Sequence, residues 1–563
     1  AMDARAAAPW SDVGARTVAD DPLAPFGIVC DVRAMAEAAA AAPVEALILD
    51  MGDFARLRRY AANLSSGAYD LQLGLCYERL DALLVELERL LGPPSEQLAY
   101  VLTSPSSVSG LAPVAIAGWS YGAGLLTSPT TRRAGLVTSL DMAPTILAGL
   151  GVDPAWECDG AAIVQAAVAQ PGPAGAIETP GGLTDHVALA MLMEQTLTLA
   201  AQARGPVLRL FIGFLVAAVF GLLGVIVLNC RAPRWMLQPV RALLVAASSA
   251  PLVLLTGPIV GVWGTVASTV LLIVGCAALA LLMVRISGSA MWSVVLLSGA
   301  TAVVIALDAF TGGRLASTSL LGHSAVLGAR YYGIGNELMG VLVGSAAVAG
   351  AGLSRAAWVS ATAAAVAMVI LGHPSIGANF GGMISAAVTS VAIVTMAIRR
   401  SPLSARPTRS RAVALAGVCL AAMGATVALI LLDASSPKSS HIGRAWRTLM
   451  QHAGGSGQLA AIVLRKLAMN IRLLRYTAWT QVLIAFLAIL GAMAAGARGG
   501  VFQRFRRGYF GLYAALMGGL AGAATAMVVN DSGVVACATL AMMPTLAMLG
   551  YAADELTARG AEQ

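Results

Sequence analysis

From residue 207 onward the chain runs apolar, again and again, for the roughly 17 to 25 residues that a helix needs to cross a bilayer, and no other feature limits its fold as much. Candidate spans lie near 207–230, 241–257, 260–284, 290–311, 336–353, 356–372, 379–398, 412–433, 476–497, 509–529 and 534–551. Hydrocarbon offers no water to the backbone, so each run must satisfy its own N–H and C=O groups as a helix. The expectation is a membrane all-α polytopic bundle of about 11 transmembrane helices over residues 201–563. Composition points the same way, with 58% apolar and only 12% charged residues, against about 25% charged in a soluble domain.

The charges are divided unevenly. Residues 1–200 hold 22 acidic and 10 basic side chains, whereas residues 201–563 hold 7 and 26. An acidic soluble domain is therefore expected to precede the basic membrane domain. In it VEALILDMGDF (44–54) reads as a buried strand, SGAYDLQLGLCYERLDALLVELERLLG as an amphipathic helix and AYVLTSPSS as a further strand. That alternation predicts a soluble α/β domain with a mainly parallel sheet. The opening AMDARAAAPWSDVGARTVADD lacks a signal-peptide pattern, so export of this domain would imply that an upstream segment has been removed. The seven cysteines are scattered without CxxC spacing, which suits small buried hydrophobes better than a zinc site or a disulfide framework.

Arginines fall in alternate loops of the membrane half. Arg231, Arg234 and Arg241 follow the first span, Arg285 the third, Arg355 the fifth, Arg399, Arg400, Arg406, Arg409 and Arg411 the seventh, and Arg498, Arg504, Arg506 and Arg507 the ninth. The positive-inside rule makes that side, with the C-terminus, cytoplasmic. The N-terminal domain and the loops at 312–335, 373–378, 434–475 and 529–533 then face outward. The long loop 434–475 is itself basic, and its segment GQLAAIVLRKLAMNIRLLRY has the spacing of an amphipathic helix lying on the membrane surface.

Every glycine-rich polar stretch of the membrane half falls on this outward side: LLGHSAVLGARYYGIGNELMG (320–340), GHPSIGANFGG (372–382), SSPKSSHIGRAWR (435–447) and VVNDSGVV (528–535). Irregular backbone at membrane depth survives only when buried in protein or lining a wet cavity. The outward loops 312–335 and 434–475 together hold nine basic residues, against Glu337, Asp433 and Asp531 on the same side. A cationic cavity at headgroup level suits an anionic amphiphile, and the planar fork of arginine suits phosphate oxygens. Arg330 and Arg444 are the expected phosphate clamps, with Tyr331, Asn336, His373, Asn379 and Lys438 as further substrate-binding candidates. Glu337, His323, His441 and Asp531 are the candidate acid–base groups. The spacing of the histidines matches no known ligand pattern, so no metal and no other cofactor is expected.

Two resemblances extend this reading. LLTSPTTRRAGLVTSLDMAPTILAGLGV (125–152) resembles a segment near the end of the alkaline phosphatase and sulfatase superfamily core. That family implies two-metal ester hydrolysis, but its Asp-His positions are occupied here by Pro105 and Ser106, and His186 is the only histidine in residues 1–200. The expectation is a non-catalytic extracytoplasmic domain in which Asp50, Asp53 and Asp141 are structural. ARYYGIGNELMG and the outward loop containing HIGRAW resemble segments of bacterial O-antigen ligases and polymerases. That resemblance implies glycan transfer from a polyprenyl-diphosphate lipid, without metal or nucleotide, at the outer face of the bacterial cytoplasmic membrane. The expected partners are an anionic or polyprenyl-phosphate lipid, the membrane and other envelope-biogenesis proteins, with no nucleic acid. Two other readings remain: a transporter or flippase of the same anionic substrate, and an envelope scaffold with a pseudo-phosphatase domain.

Overall fold

The structure is a computed structural model, and it describes residues 17–104, 110–152, 158, 160–166, 183–227, 234–328, 330–354, 356–400, 408–435, 456–495 and 500–559. The chain divides into two compact units. The first comprises residues 1–108, 112–130 and 136–169; the second comprises residues 109–111, 131–135 and 170–563.

The first unit holds helices α1 (Val32–Ala41), α2 (Gly52–Tyr60), α3 (Ser66–Leu91) and α4 (Met142–Gly149). Its sheets correct the expectation of a mainly parallel one. Among the described residues there are three two-stranded antiparallel pairs: β1 (Val18–Asp20) with β2 (Ile28–Cys30), β3 (Tyr100–Thr103) with β4 (Val114–Ala117), and β5 (Leu126–Thr127) with β6 (Val164–Gln165). The expected helix forms as α3 and the second expected strand as β3. VEALILD does not become a strand: Leu47, Ile48 and Leu49 are exposed and MGDF leads into α2. An apolar run becomes a strand only when a neighbour takes its ladder bonds, and β1 and β2 pair with each other instead. Asp53 and Asp141 each anchor several hydrogen bonds. Asp53 is buried, accepts from the Cys30 N–H at 3.1 Å and pairs with Arg56 (2.7 Å) and Arg79 (3.2 Å). The fully buried Asp141 carboxylate accepts from the Ser128 and Thr130 hydroxyls and from the Thr138 and Ala161 N–H groups.

The second unit is the bundle: α5 (Leu183–Val227), α6 (Arg234–Val260), α7 (Thr265–Ser287), α8 (Ala290–Phe310), the short α9 (Arg314–Thr318), α10 (Asn336–Leu353), α11 (Ala357–Gly372), α12 (Phe380–Arg400), α13 (Thr408–Ser435), α14 (Ser456–Tyr476), α15 (Trp479–Ala495), α16 (Val501–Gly508), α17 (Phe510–Val529) and α18 (Gly533–Arg559). Among the described residues nine helices are long and apolar enough to cross a membrane, rather than the expected eleven. The difference lies in α11 and α15, which form where expected but reach only 16 and 17 residues. Helices α14 and α15 meet at an 85° bend. Helix α5 begins well before its apolar run; its 45 residues extend about 68 Å at 1.5 Å per residue, far beyond the roughly 30 Å hydrocarbon core.

Helix α18 is the bundle's centre, with its most apolar stretch wholly buried. Small residues let neighbours come close, since helices in lipid associate by packing rather than by expelling water. On α10, Gly340 lies against Thr539 and Gly344 against Leu540 and Pro544 of α18; on α17, Gly518 and Gly522 lie against Thr389 and Ile393 of α12. Any Cβ at Gly340 or Gly522 would collide with these neighbours. Helix α13 has none of its most apolar stretch buried, the pattern of a helix facing lipid.

Candidate functional site

Three connections gather at one end of the bundle: residues 311–335 between α8 and α10, 373–379 between α11 and α12, and 530–532 between α17 and α18. The Ile334 N–H donates to the Gly377 carbonyl at 2.8 Å, joining the first two along their backbones. The buried Asn379 completes the junction. Its amide donates to the Ile334 carbonyl (2.9 Å) and the Asn336 side-chain oxygen (3.2 Å), while its own oxygen accepts from the Gly382 N–H (2.9 Å) at the start of α12. Gly333 and Ala378 adopt positive φ (74° and 46°), which lets the two segments fold against each other. Gly381 sits directly against Asn530 of the third connection.

Besides the exposed Arg314, the arginines Arg330, Arg133, Arg132 and Arg204 reach this end. Arg330 is part-buried and donates to the Ala378 carbonyl at 3.2 Å; no carboxylate lies within ion-pair distance of it among the described residues. Burial lowers its pKa, against the pull of Tyr332, Asp531 and Glu337. Arg133 donates to the Tyr331 carbonyl (2.7 Å) and the Gly313 carbonyl (3.2 Å); burial lowers its pKa too, opposed by Asp308. Arg132 donates to the Pro374 carbonyl (2.9 Å) and lies over the Tyr332 ring, 3.9 Å from its centroid, a cation–π geometry. Arg204 of α5 bonds the Gly322 carbonyl and pairs with Glu337 at 2.6 Å, both side chains less than one-fifth exposed.

His323 stands among these guanidiniums, 6% exposed. One ring nitrogen engages the Tyr331 carbonyl, while Nδ1 has no hydrogen-bond partner among the described residues. Burial, then the charges of Arg133 and Arg330, push its pKa down to about 3, with Arg204 adding to the effect and the Tyr331 carbonyl opposing it. The imidazole is therefore neutral at any physiological pH.

The sequence-derived candidates thus separate. His323, Arg330, Tyr331, Asn336, Glu337 and Asn379 meet at this end, Asn336 and Asn379 as loop clamps and Tyr331 through its carbonyl. His373 caps α11: its Nδ1 accepts from the Ser375 N–H at 3.3 Å and its carbonyl from the three N–H groups after that. Asp531 is mostly exposed and pairs with Lys466 of α14 at 3.2 Å. Lys438, His441 and Arg444 lie outside the described residues. Asp308, buried at the end of α8, turns both carboxylate oxygens to the Leu315 and Ala316 N–H groups at 2.7 and 2.9 Å, the N-terminus of α9.

Sequence reasoning missed Arg132, Arg133, Arg204 and Asn470. Asn470 lies buried on α14 and clamps the turn into α18, accepting from the Gly533 N–H (2.7 Å) and donating to the Met527 and Asn530 carbonyls (2.9 and 3.1 Å). The signal for Arg204 was a charge in a helix that continues into a span, where charge is costly unless used. Comparison with known protein families, characterised proteins and solved structures finds no match.

Proposed function

We propose that the protein binds the phosphate-bearing headgroup of a membrane amphiphile at the arginine-lined end of its bundle, and that this end faces outward from the bacterial cytoplasmic membrane. The observation that carries the reading is Arg330, a part-buried guanidinium held by one carbonyl, with no carboxylate partner among the described residues. A desolvated cation without a counter-charge is costly, and a phosphate oxygen supplies both the missing charge and a strong acceptor. Arg241, Arg399, Arg400, Arg504, Arg506 and Arg507 gather toward the helix ends opposite this site, which supports the orientation.

Purified protein in detergent, titrated with a polyprenyl diphosphate and with phosphatidylcholine, tests the binding. The diphosphate is expected to bind selectively, and Arg330→Ala to weaken it roughly tenfold or more, the loss of one charge-assisted contact of about 1.5–3 kcal/mol. Equal binding of both lipids, or an Arg330→Ala variant that folds and binds like the parent, refutes the proposal. Two assays distinguish the fates of a bound lipid: conversion of a glycan-bearing lipid marks the transfer that the ligase resemblance implies, and movement of intact lipid between leaflets marks transport.

A further inference from the structure

At the end of the bundle opposite this site, four exposed arginines have no carboxylate within ion-pair distance among the described residues. Two of them, Arg506 and Arg507, lie in the last turn of α16, an eight-residue helix too short to cross a bilayer. The bundle grips this helix by its other residues. Phe505 is fully buried against Tyr551 (ring centroids 5.2 Å apart), Phe502 meets Tyr513 of α17 (5.5 Å), and Arg504 pairs with Glu555 of α18. The other two, Arg399 and Arg400, end α12. Both pairs belong to one patch: the Arg400 guanidinium lies 4.3 Å from the centroid of the Phe510 ring, and Phe510 follows Arg507 by at most about 11 Å of extended chain. Neighbouring acids are already committed, Glu555 to Arg504 and Arg559, and Asp554 to Arg241 and the N–H groups that open α8.

We propose that α16 and the end of α12 together bind anionic phospholipid headgroups of the leaflet on this side, the four guanidiniums meeting phosphate oxygens. Aromatic side chains mark the depth: Trp292 meets Tyr509, which meets Phe505 and Tyr551, and such rings gather where membrane meets water. With α12 ending and α17 beginning here, the arginines stand at headgroup level. An acidic protein or a nucleic acid would have to displace lipid to reach them, whereas phospholipid phosphates are already at that depth. A zwitterionic headgroup brings its own cation; an anionic one supplies the counter-charge that the patch lacks. The proposal is independent of the phosphate reading at the other end.

The full chain in detergent, titrated with phosphatidylglycerol and with phosphatidylcholine, tests this when hydrogen exchange is followed in residues 501–508, a readout local to the patch. Phosphatidylglycerol is expected to slow exchange there at lower concentration than phosphatidylcholine does. Each arginine at an anionic lipid surface is worth about fivefold in affinity. Arg506→Gln with Arg507→Gln should therefore raise the phosphatidylglycerol midpoint about 25-fold. Arg399→Gln with Arg400→Gln, far away in sequence, should raise the same midpoint similarly, and covers the case in which the first pair does not fold. Arg58→Gln with Arg59→Gln, an exposed pair of the first unit, removes equal charge and should leave it unchanged. Equal protection by both lipids, protection by neither, or a midpoint that survives the Arg399 and Arg400 substitutions overturns the proposal and leaves the outward site untouched.

Discussion

The Arg204–Glu337 pair offers the sharpest test of whether the polar end is a built structure or a set of independent loops. The pair joins the middle of the long helix α5 to the first turn of α10, 133 residues apart in sequence. At 2.6 Å and an effective dielectric of about 20, the bare attraction is ~6 kcal/mol. Desolvation offsets much of it, because the side chains are only 16% and 19% exposed. A charge-assisted bond that survives this offset is worth about 1.5–3 kcal/mol. Arg204→Gln should cost more than Glu337→Gln, since it also removes a charged donor from the Gly322 carbonyl. A double-mutant cycle of these two substitutions, read by denaturant unfolding in micelles, should return a coupling of about 1.5–3 kcal/mol. Additive effects within about 0.5 kcal/mol would mean that water screens the pair. Glu337 would then be free for the acid–base role that its sequence position suggests.

Asn379→Ala should destabilise by roughly 2–4 kcal/mol, because it strands the Gly382 N–H and the Ile334 carbonyl in a buried site; thermal unfolding checks this, and a shift no larger than that of a surface alanine would remove Asn379 from its clamping role. Asn470→Ala should expose the 530–532 turn to limited proteolysis or hydrogen exchange while α10 and α18 stay protected. The His323 prediction concerns pH. Its folded pKa of about 3 lies below the ordinary value near 6.5, so the native state resists protonation and the unfolded chain takes up the proton first. The stability this contributes is complete above pH 6.5 and declines as pH falls toward 3, by about 2 kcal/mol between pH 7 and 5. His323→Phe should lose that part of the pH dependence, and parallel stability curves for parent and variant would contradict the burial of a neutral imidazole.

How far the sequence reaches depends on the range of the interaction. Helix character is local, so the apolar runs located the bundle, and only α11 and α15 fell short of spanning length. Strand pairing is not local: VEALILD has the composition of a buried strand, yet nothing within it says whether a partner exists, and it stays unpaired. The alternation of spans put the loops at 312–335, 373–378 and 529–533 on one end, and the contacts among Ile334, Gly377, Asn379, Gly381 and Asn530 show them together there. Arg133 was out of reach, because its carbonyl partners Tyr331 and Gly313 lie 198 and 180 residues away, and its own segment reads as part of a phosphatase-like motif. Asn470 looked like one more polar position on an amphipathic helix, and only the packing of α14 on the turn gives it a role.

The way these arginines are held bears on how the site should respond to pH. Carbonyl oxygens of Tyr331, Gly313, Ala378, Gly322 and Pro374 take hydrogen bonds from Arg133, Arg330, Arg204 and Arg132, but a carbonyl carries no net charge and cannot cancel one. Glu337 balances Arg204, whereas Arg330 has no carboxylate within ion-pair distance among the described residues, so its positive potential persists after its hydrogen bond is made. Even where burial lowers their pKa, guanidiniums start far above neutrality, and His323 stays uncharged because burial, and then the charges of Arg133 and Arg330, disfavour its cation. His323, its pKa pushed down to about 3, does not change charge between pH 6 and 8, and a guanidinium is in general charged throughout that range. Affinity for a phosphodiester lipid, whose charge is fixed, should be flat across that range, whereas affinity for a monophosphate lipid should rise with the second ionisation of its phosphate near pH 6. A phosphodiester affinity that changes several-fold over the same interval would mean that a protein group, and not the ligand, sets the charge of the site.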